Sequence, residues 1–227
     1  SLGNNFKYSQ IDPYWMAASS LDESIRRILS VGASIDYIAL NDNFCWPNSI
    51  QSEDNPEGKE NLGKLVRANK ALYKFTKKFK TPCISGKDSM FIGGELKNSD
   101  GETEKVSGLP ALQFAALGKV KDVSKSISLT PNSIGDLIYI IGETKDELGA
   151  SEYYEMKEEI GINVPKVDPE ESYDIYKAIS EATEKELLES CTGCYRGGLG
   201  ISLAKKADIF AIVPATANVV GKIANGI

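Results

Sequence analysis

The sequence has no histidine among its 227 residues, so a mechanism that needs an imidazole must take it from another segment or chain. It also lacks any apolar run close to the ~20 residues of a membrane-spanning helix. No secretory signal pattern opens it, and its cysteines, Cys45, Cys83, Cys191 and Cys194, fit reduced thiols. We therefore expect a cytoplasmic protein without a membrane partner.

Positive charge is also scarce relative to negative charge. The formal net charge is −6, with 26 basic and 32 acidic side chains. Such a balance argues against a general nucleic-acid binder, because that function depends on a surplus of basic residues facing phosphates. Hydrophobic residues make up 41% of the chain, which is enough to bury a core in one large or two small domains.

The spacing of Cys191 and Cys194 is typical of half a zinc site or of a redox pair. A structural zinc ion needs about four ligands. The two other cysteines, Cys45 and Cys83, are not paired in sequence, and histidine is absent. No strand and helix of thioredoxin type surround the motif, so the pattern favours neither role.

The first part of the chain predicts alternating helices and strands. Pro13 opens a helix whose apolar residues recur at helical spacing up to Leu29, and a β-prone run follows at residues 35–40. A second helix carries one apolar stripe, with lysines opposite, that we interpret as core packing. Its members are Leu62, Leu65, Val66, Leu72, Phe75 and Phe79. Residues 93–108 then predict a hairpin, and residues 111–120 a strand.

A polar connection at residues 121–134 predicts a boundary between subdomains at 1–122 and 123–227. Residues 136–143 are the clearest strand pattern in the second part, and helices are predicted from Leu148 and around Tyr173. After a loop, Gly197 and Gly198 open a short helix, and residues 209–213 predict a last strand. The glycines could hold a phosphate at the helix N-terminus or simply allow close packing.

Residues 81–90 are the strongest candidate for a functional site. Residues 84–86 predict the end of a buried strand, and Lys87, Asp88 and Ser89 then follow at a tight bend. Cation, carboxylate and hydroxyl suit a phosphate with a bound metal, while Gly86 permits a close approach to a ligand. The alternative is a polar turn facing solvent.

A second polar segment, residues 41–48, follows the predicted strand at residues 35–40. It carries Asp42 between two asparagines. Strand ends of this kind often hold ligand-binding groups. The alternative is a turn rich in Asn and Asp with two aromatic residues packed beneath it.

Four motifs in order and spacing carry a resemblance over nearly the whole chain. They are Ser85-Gly86-Lys87-Asp88-Ser89-Met90, residues 135–139, residues 148–154, and Arg196-Gly197-Gly198-Leu199-Gly200. The chain resembles phosphoribosylformylglycinamidine synthase (FGAM synthase), of the aminoimidazole ribonucleotide synthetase superfamily. It is similar to the second of two synthetase-like halves, with the start of that half and the C-terminal end of its second subdomain missing.

The resemblance implies an α+β fold in which the sheet of an N-type subdomain forms a barrel with its counterpart. A C-type subdomain with a mixed sheet follows, and both are expected to be partial here. It also implies ATP-dependent amidation of formylglycinamide ribonucleotide (FGAR) by glutamine-derived ammonia, with ATP and Mg²⁺ as cofactors. The family's catalytic histidine would lie outside this chain, so none of its residues is assigned as catalytic, and we expect it to be inactive alone.

Individual roles carry over only at matching positions. Asp42 and Gly86 would contact ATP, and Ser89 would contact the substrate. Lys87 matches the large forms of the enzyme, where small forms have a magnesium-binding Asn, so we assign it to phosphate. Asp88 is a candidate metal ligand or a brace for Lys87.

Glu23 matches a metal-binding Glu of an auxiliary nucleotide site in large forms. Two cations, Arg27 and Arg196, replace the other metal-binding groups of that site. Since cations repel magnesium, we predict that a magnesium nucleotide does not bind there in the usual way. From the residues alone, Glu23 and Arg27 could instead belong to a solvated helix face.

We expect partners of three kinds: a nucleotide substrate, the remaining domains of the enzyme with a glutaminase domain or subunit, and further copies in a homo-oligomer. Two alternatives stay open. One is another ATP-dependent synthetase of the superfamily, such as the aminoimidazole ribonucleotide or thiamine-phosphate enzyme. The other is a non-catalytic half that stabilises its partner domain.

Overall fold

The computed structural model describes residues 1–131 and 133–195. Arg196, the following glycines and the predicted strand at residues 209–213 lie outside the described residues. The helices are α1 (Pro13–Leu29), α2 (Gly58–Phe79), α3 (Glu152–Met156) and α4 (Pro169–Glu184), with short 3₁₀ turns at Phe6–Gln10, Ile35–Tyr37 and Val123–Lys125. The strands are β1 (Leu2–Gly3), β2 (Ile38–Trp46), β3 (Cys83–Met90), β4 (Gly93–Lys97), β5 (Thr103–Ser107) and β6 (Ala111–Gly118).

Four strands form one mixed sheet in the order β1-β6-β2-β3. Strands β2 and β3 are parallel, whereas β6 is antiparallel to both β1 and β2. Strands β4 and β5 pair separately as the hairpin predicted at residues 93–108. The α+β class is therefore confirmed, and β1 and β3 are the edges of this sheet as far as the described residues go.

The finer expectations of a barrel and of a second mixed sheet are not met among the described residues. The four-stranded sheet is open rather than closed. No strand follows β6 within residues 119–131 and 133–195. The proposed boundary after residue 122 stays a prediction, although Tyr176 of α4 packs into the same core as α1 and α2.

One face of the sheet packs against α1 and α2, and this is where the core lies. Helix α1 begins at Pro13 as predicted, because Asp12 caps it by accepting a hydrogen bond from the Tyr14 N–H at 2.8 Å. Gly3 of β1 lies so close to α1 that a Cβ there would meet the Ser20 carbonyl oxygen at 1.9 Å. The largest fully buried side chains are Trp46, Phe75, Phe79, Phe114 and Met16.

The predicted stripe of α2 is only partly right. Phe75 and Phe79 are fully buried, but Leu62 and Val66 are each 48% exposed. Two small residues, Ala68 and Ala71, take their place against the sheet and α1. Close packing of two helices on one sheet favours small side chains at the contact, and hydrophobicity alone does not reveal this preference.

The strand predicted at residues 136–143 is wrong for the described part of the chain. No ladder partner pairs with this segment, and Leu137, Ile138 and Tyr139 are 78%, 63% and 78% exposed. A run that is apolar on both faces is typical of a strand buried inside a sheet. The pattern is therefore present, but the described residues supply no neighbouring strand to pair with it.

A buried polar network joins α4 to α1. The Tyr176 hydroxyl donates a hydrogen bond to Asp22, and the Arg26 Nε donates to the same carboxylate at 2.7 Å. Asp22 and Tyr176 are both buried. Since buried polar groups are costly without partners, this network fixes the position of α4 on the core.

A membrane-spanning helix was not found in the described part of the chain, where no helix combines sufficient length with sufficient hydrophobicity.

We predict that Tyr176→Phe lowers the free energy of unfolding by about 1–3 kcal/mol, because Asp22 loses a buried hydrogen-bond donor. Urea unfolding measures this, with Tyr153→Phe as the matched control on α3. Burial and then the Asp22 carboxylate raise the pKa of Tyr176 well above its usual range. The unfolded tyrosine therefore ionises first, so stability present below pH ~10 should fall as the pH rises further, and less so in Tyr176→Phe. Equal effects of the two substitutions would contradict this role.

Candidate functional site

The parallel pairing of β2 and β3 brings the predicted site residues together. Asp42 lies opposite Gly86, and Asn43 lies opposite Lys87. The same register places Asp88 beside Phe44 and Ser89 beside Cys45. Two expectations are wrong: that residues 87–89 form a tight bend, and that the strand before Asp42 ends at residue 40. Both segments are continuous strand, and residues 83–88 are exposed at a sheet edge instead of buried.

Alternation along the strands divides these residues between two sides of the sheet. Asp42 lies between the buried Leu40 and Phe44, on the side that faces the helices. Its register partner Gly86 shares that side, and Asp88 follows two residues later. Lys87 and Ser89 therefore lie on the opposite side, so Asp88 does not brace Lys87. No helix within residues 1–131 and 133–195 packs on that side, which we call the helix-free side.

Gly86 is required for the position of the Asp42 carboxylate. A Cβ at Gly86 would lie 2.8 Å from Asp42 Oδ1, closer than real contacts allow. Without a side chain at Gly86, the carboxylate of β2 can lie across the edge strand. On this side, Asp42 thus lies over Gly86 from the neighbouring strand, and Asp88 follows two residues later along β3.

Asp42 also touches Cys83 at the start of β3. Burial and then the charge of Asp42, which accepts a hydrogen bond from the thiol, raise the pKa of Cys83 to about 11. At neutral pH the thiol is therefore protonated, and it is a poor nucleophile and metal ligand. Cys83 serves here as a donor that orients the Asp42 carboxylate.

We predict that Asp42→Asn lowers the pKa of Cys83 and speeds its alkylation severalfold at pH ~8.5, because the thiolate no longer faces a negative charge. The measurement is iodoacetamide labelling of Cys83 followed by mass spectrometry. Cys45, in the same sheet, serves as the internal reference. An unchanged labelling ratio of Cys83 to Cys45 would mean that Asp42 does not control this thiol.

The helix-free side holds two further polar residues, Asn43, which belongs to the candidate segment at residues 41–48, and Gln113, which the sequence did not single out. Asn43 and Gln113 are register partners, and Asn43 also pairs with Lys87, so the three form one row across three strands. Among the described residues, none of these side chains has a hydrogen bond or ion pair, and Asn43 Oδ1 is buried without a partner. The sequence singled out Asn43 only as part of a polar segment without a role of its own, whereas Gln113 gave no signal.

Glu23 lies on α1 and is already surrounded by donors. Its carboxylate accepts hydrogen bonds from the Asn4 N–H at 3.2 Å, from Asn5 Nδ2 at 3.0 Å and from Arg27 Nη2 at 2.6 Å. Arg27 also stacks 4.0 Å above the ring of Tyr195. Glu23 therefore does not fit a magnesium site, since the ion would have to displace a paired guanidinium. Arg196 lies outside the described residues.

The other candidate motifs contribute no site in the described part of the chain. Burial raises the pKa of the Cys191 thiol, which disfavours the thiolate that zinc or redox chemistry requires. Within residues 1–131 and 133–195, no three His, Cys, Asp or Glu side chains cluster as metal ligands would. A cavity of about 240 Å³ near Ser180 is lined by Lys121 and Glu184, which pair with each other, and by none of the predicted site residues.

The fold, including the pairing of β2 with β3, first indicates the structural class to which the chain belongs. The architecture matches solved synthase structures from Thermotoga maritima: the PurLQS structure has a TM-score of 0.53 at 16% identity, covering 88% of this chain and 27% of that chain. PurL complexed with FGAR also gives 0.53 at 16% identity, covering 87% and 29%. At this identity the likeness establishes the α+β fold.

The particular relatives are phosphoribosylformylglycinamidine synthase subunits named PurL. The subunit of Methanocaldococcus jannaschii is 34% identical over 207 residues, which is 89% of this chain and 26% of that protein. The subunit of Thermococcus sibiricus is 32% identical over 206 residues, with the same two shares. The resemblance to FGAM synthase is thus confirmed for most of the chain, which spans about a quarter of these relatives.

A family model described as Flavoprotein also matches, at residues 158–227. The match covers less than a third of the chain, and most of its second half lies outside the described residues. It therefore does not define the family of the chain as a whole.

Proposed function

We propose that this chain forms part of the nucleotide- and substrate-binding site of an FGAM synthase, which amidates FGAR with ammonia at the expense of ATP. The observation that carries the proposal is the β2–β3 register. It gathers Asp42, Gly86, Lys87, Asp88 and Ser89 at one exposed edge, in a chain that aligns with PurL over 89% of its length.

The helix-facing side of this edge suits ATP with Mg²⁺. Hard cations prefer carboxylate oxygens, and Asp42 and Asp88 offer them on either side of Gly86. Gly86 is exposed and has no side chain, so a triphosphate can approach its backbone from the sheet edge, next to the Asp42 carboxylate. When bound, the metal would neutralise charge on the transferred phosphoryl group.

The helix-free side suits an anionic substrate. Lys87 is exposed and has no ion-pair partner among the described residues, so its ammonium is available for a phosphate. Ser89 lies two residues further on the same side and can donate a hydrogen bond to the same ligand. Lys87 and Asp88 thus contribute to opposite sides of the edge instead of neutralising each other.

The chain needs partners to complete such a reaction. Having no histidine, it must rely on another segment or subunit for an imidazole acid or base. A glutaminase domain or subunit would supply the ammonia. The free edges of β1 and β3 allow the sheet to close into a barrel with a similar sheet, from the same enzyme or from a second copy.

We predict that Lys87→Met combined with Ser89→Ala lowers kcat/KM for FGAR at least ~100-fold, because two ligand contacts are lost together. Turnover is measured with ammonia as nitrogen source, in the protein as the cell produces it. Lys70→Met on α2 is the control for the loss of a surface lysine. Unchanged turnover in a folded double variant would refute the catalytic assignment and favour a non-catalytic half that stabilises its partner.

The glycine makes a separate prediction about ATP. Gly86→Ala should raise KM for ATP about tenfold, because the new Cβ displaces the Asp42 carboxylate from its position 2.8 Å away. KM for FGAR should change less than twofold, since that ligand is assigned to the other side. Gly94→Ala in the β4–β5 hairpin, where a Cβ meets nothing within 4 Å, is the matched control. Equal changes in both KM values would argue against two separate sides.

A further inference from the structure

The helix-free side of the sheet is polar at one edge and small and apolar at the other. Lys87, Asn43 and Gln113 form the central row across β3, β2 and β6. On β6, Ala111 and Ala115 lie two residues before and two residues after Gln113, on the same side of the sheet. Neighbouring strands are spaced about 4.8 Å apart, so the polar row extends roughly 10 Å inward from the edge.

This row has no hydrogen-bond partners within the described residues. The Asn43 side-chain oxygen has less than 1 Å² of exposed surface and still accepts no hydrogen bond. Buried amide oxygens in proteins are almost always satisfied, because an unsatisfied one destabilises the fold. A residue that carries this cost without a structural return is a candidate for ligand binding.

The chemistry of the row favours a small polar ligand over a covering layer of protein. An apolar layer would suit the alanines of β6. It would leave Lys87, Asn43 and Gln113 without hydrogen-bond partners. A ligand with a phosphate at Lys87 and hydroxyl or amide groups further along would satisfy both amides. Barrels of about eight strands have room for one small ligand, so closure with a second four-stranded sheet remains compatible with binding here.

Building on the proposed function, we propose that Asn43 and Gln113 bind the ribose and amide portion of FGAR while Lys87 binds its phosphate. ATP then occupies the other side of the β3 edge, at Asp42 and Gly86. The two substrates approach each other across a single edge strand.

The test measures the affinity for FGAR and for ATP with Mg²⁺ separately, by isothermal titration calorimetry of the full protein. Asn43→Leu and Gln113→Met remove hydrogen-bonding groups at nearly constant size. Each should weaken FGAR binding about tenfold while ATP binding stays within twofold. Asn43→Leu should also raise Tm by ~3 °C, since it removes an unsatisfied buried oxygen.

Asn69→Leu on α2 is the matched control and should alter neither affinity. FGAR binding within twofold of the parent protein in both sheet variants overturns the inference, as does a tenfold loss of ATP affinity instead. If Lys87→Met loses FGAR binding while both amide variants retain it, the proposed function stands and this inference fails. A parent protein that binds neither FGAR nor ATP overturns both. If Asn43→Leu does not fold, the affinities of Gln113→Met for FGAR and for ATP decide the question alone.

Discussion

The parallel pairing of β2 with β3 is the constraint on which the candidate site depends. These strands are distant in sequence, with α2 between them, and their register alone decides that Asp42 meets Gly86 and Asn43 meets Lys87. A shift by one residue would move every side chain of β3 to the other side of the sheet. The Asp42 carboxylate opposes such a shift, because it needs a residue without a side chain opposite it: a Cβ at Gly86 would lie 2.8 Å from Asp42 Oδ1.

The pairing also separates charges that are adjacent in sequence. Lys87 and Asp88 would neutralise each other at a tight bend, but in a strand they point to opposite sides. Each side of the edge therefore keeps its own electrostatic character, acidic toward the helices and cationic away from them. Under the proposed function, the metal-bound nucleotide and the anionic substrate would therefore not compete for the same groups.

Sequence periodicity predicted the elements that bury one of their two faces. It failed for strand β3, which buries neither face. Helices α1 and α4 and strand β6 follow from their patterns, because one face of each packs against another element. The β4–β5 hairpin, which is exposed, followed from its glycines and charged residues. Residues 87–89 of β3 are polar on both sides, so they were mistaken for a bend. The strand conformation of β3 comes from hydrogen bonds to β2, and those are invisible in the local sequence.

The candidate site residues could be selected from the sequence, but their arrangement could not. Asp42, Gly86 and Lys87 were selected from the residue types that bind phosphate and metal, together with the resemblance to the synthase, and their roles stay predictions. Asn43 was noticed only as part of a polar segment and Gln113 not at all, because the significance of their row lies in an unsatisfied buried oxygen. Such a deficit can be recognised only after every neighbouring donor and acceptor has been placed in three dimensions.

Glu23 shows how a neighbouring cation decides what a carboxylate can bind. In this chain the positive charge beside the carboxylate comes from Arg27 instead of from a metal. The guanidinium donates from Nε and Nη2 to Glu23 Oε1 at 3.0 and 2.6 Å. The same guanidinium stacks on Tyr195, so α1 is tied to the segment at residues 191–195 without any bound ion. A magnesium nucleotide would have to break the ion pair and the stacking together. Both the charge balance and the packing at this position thus oppose a metal, whereas the carboxylates at the β3 edge have no ion-pair partner in the part of the chain that the structure describes.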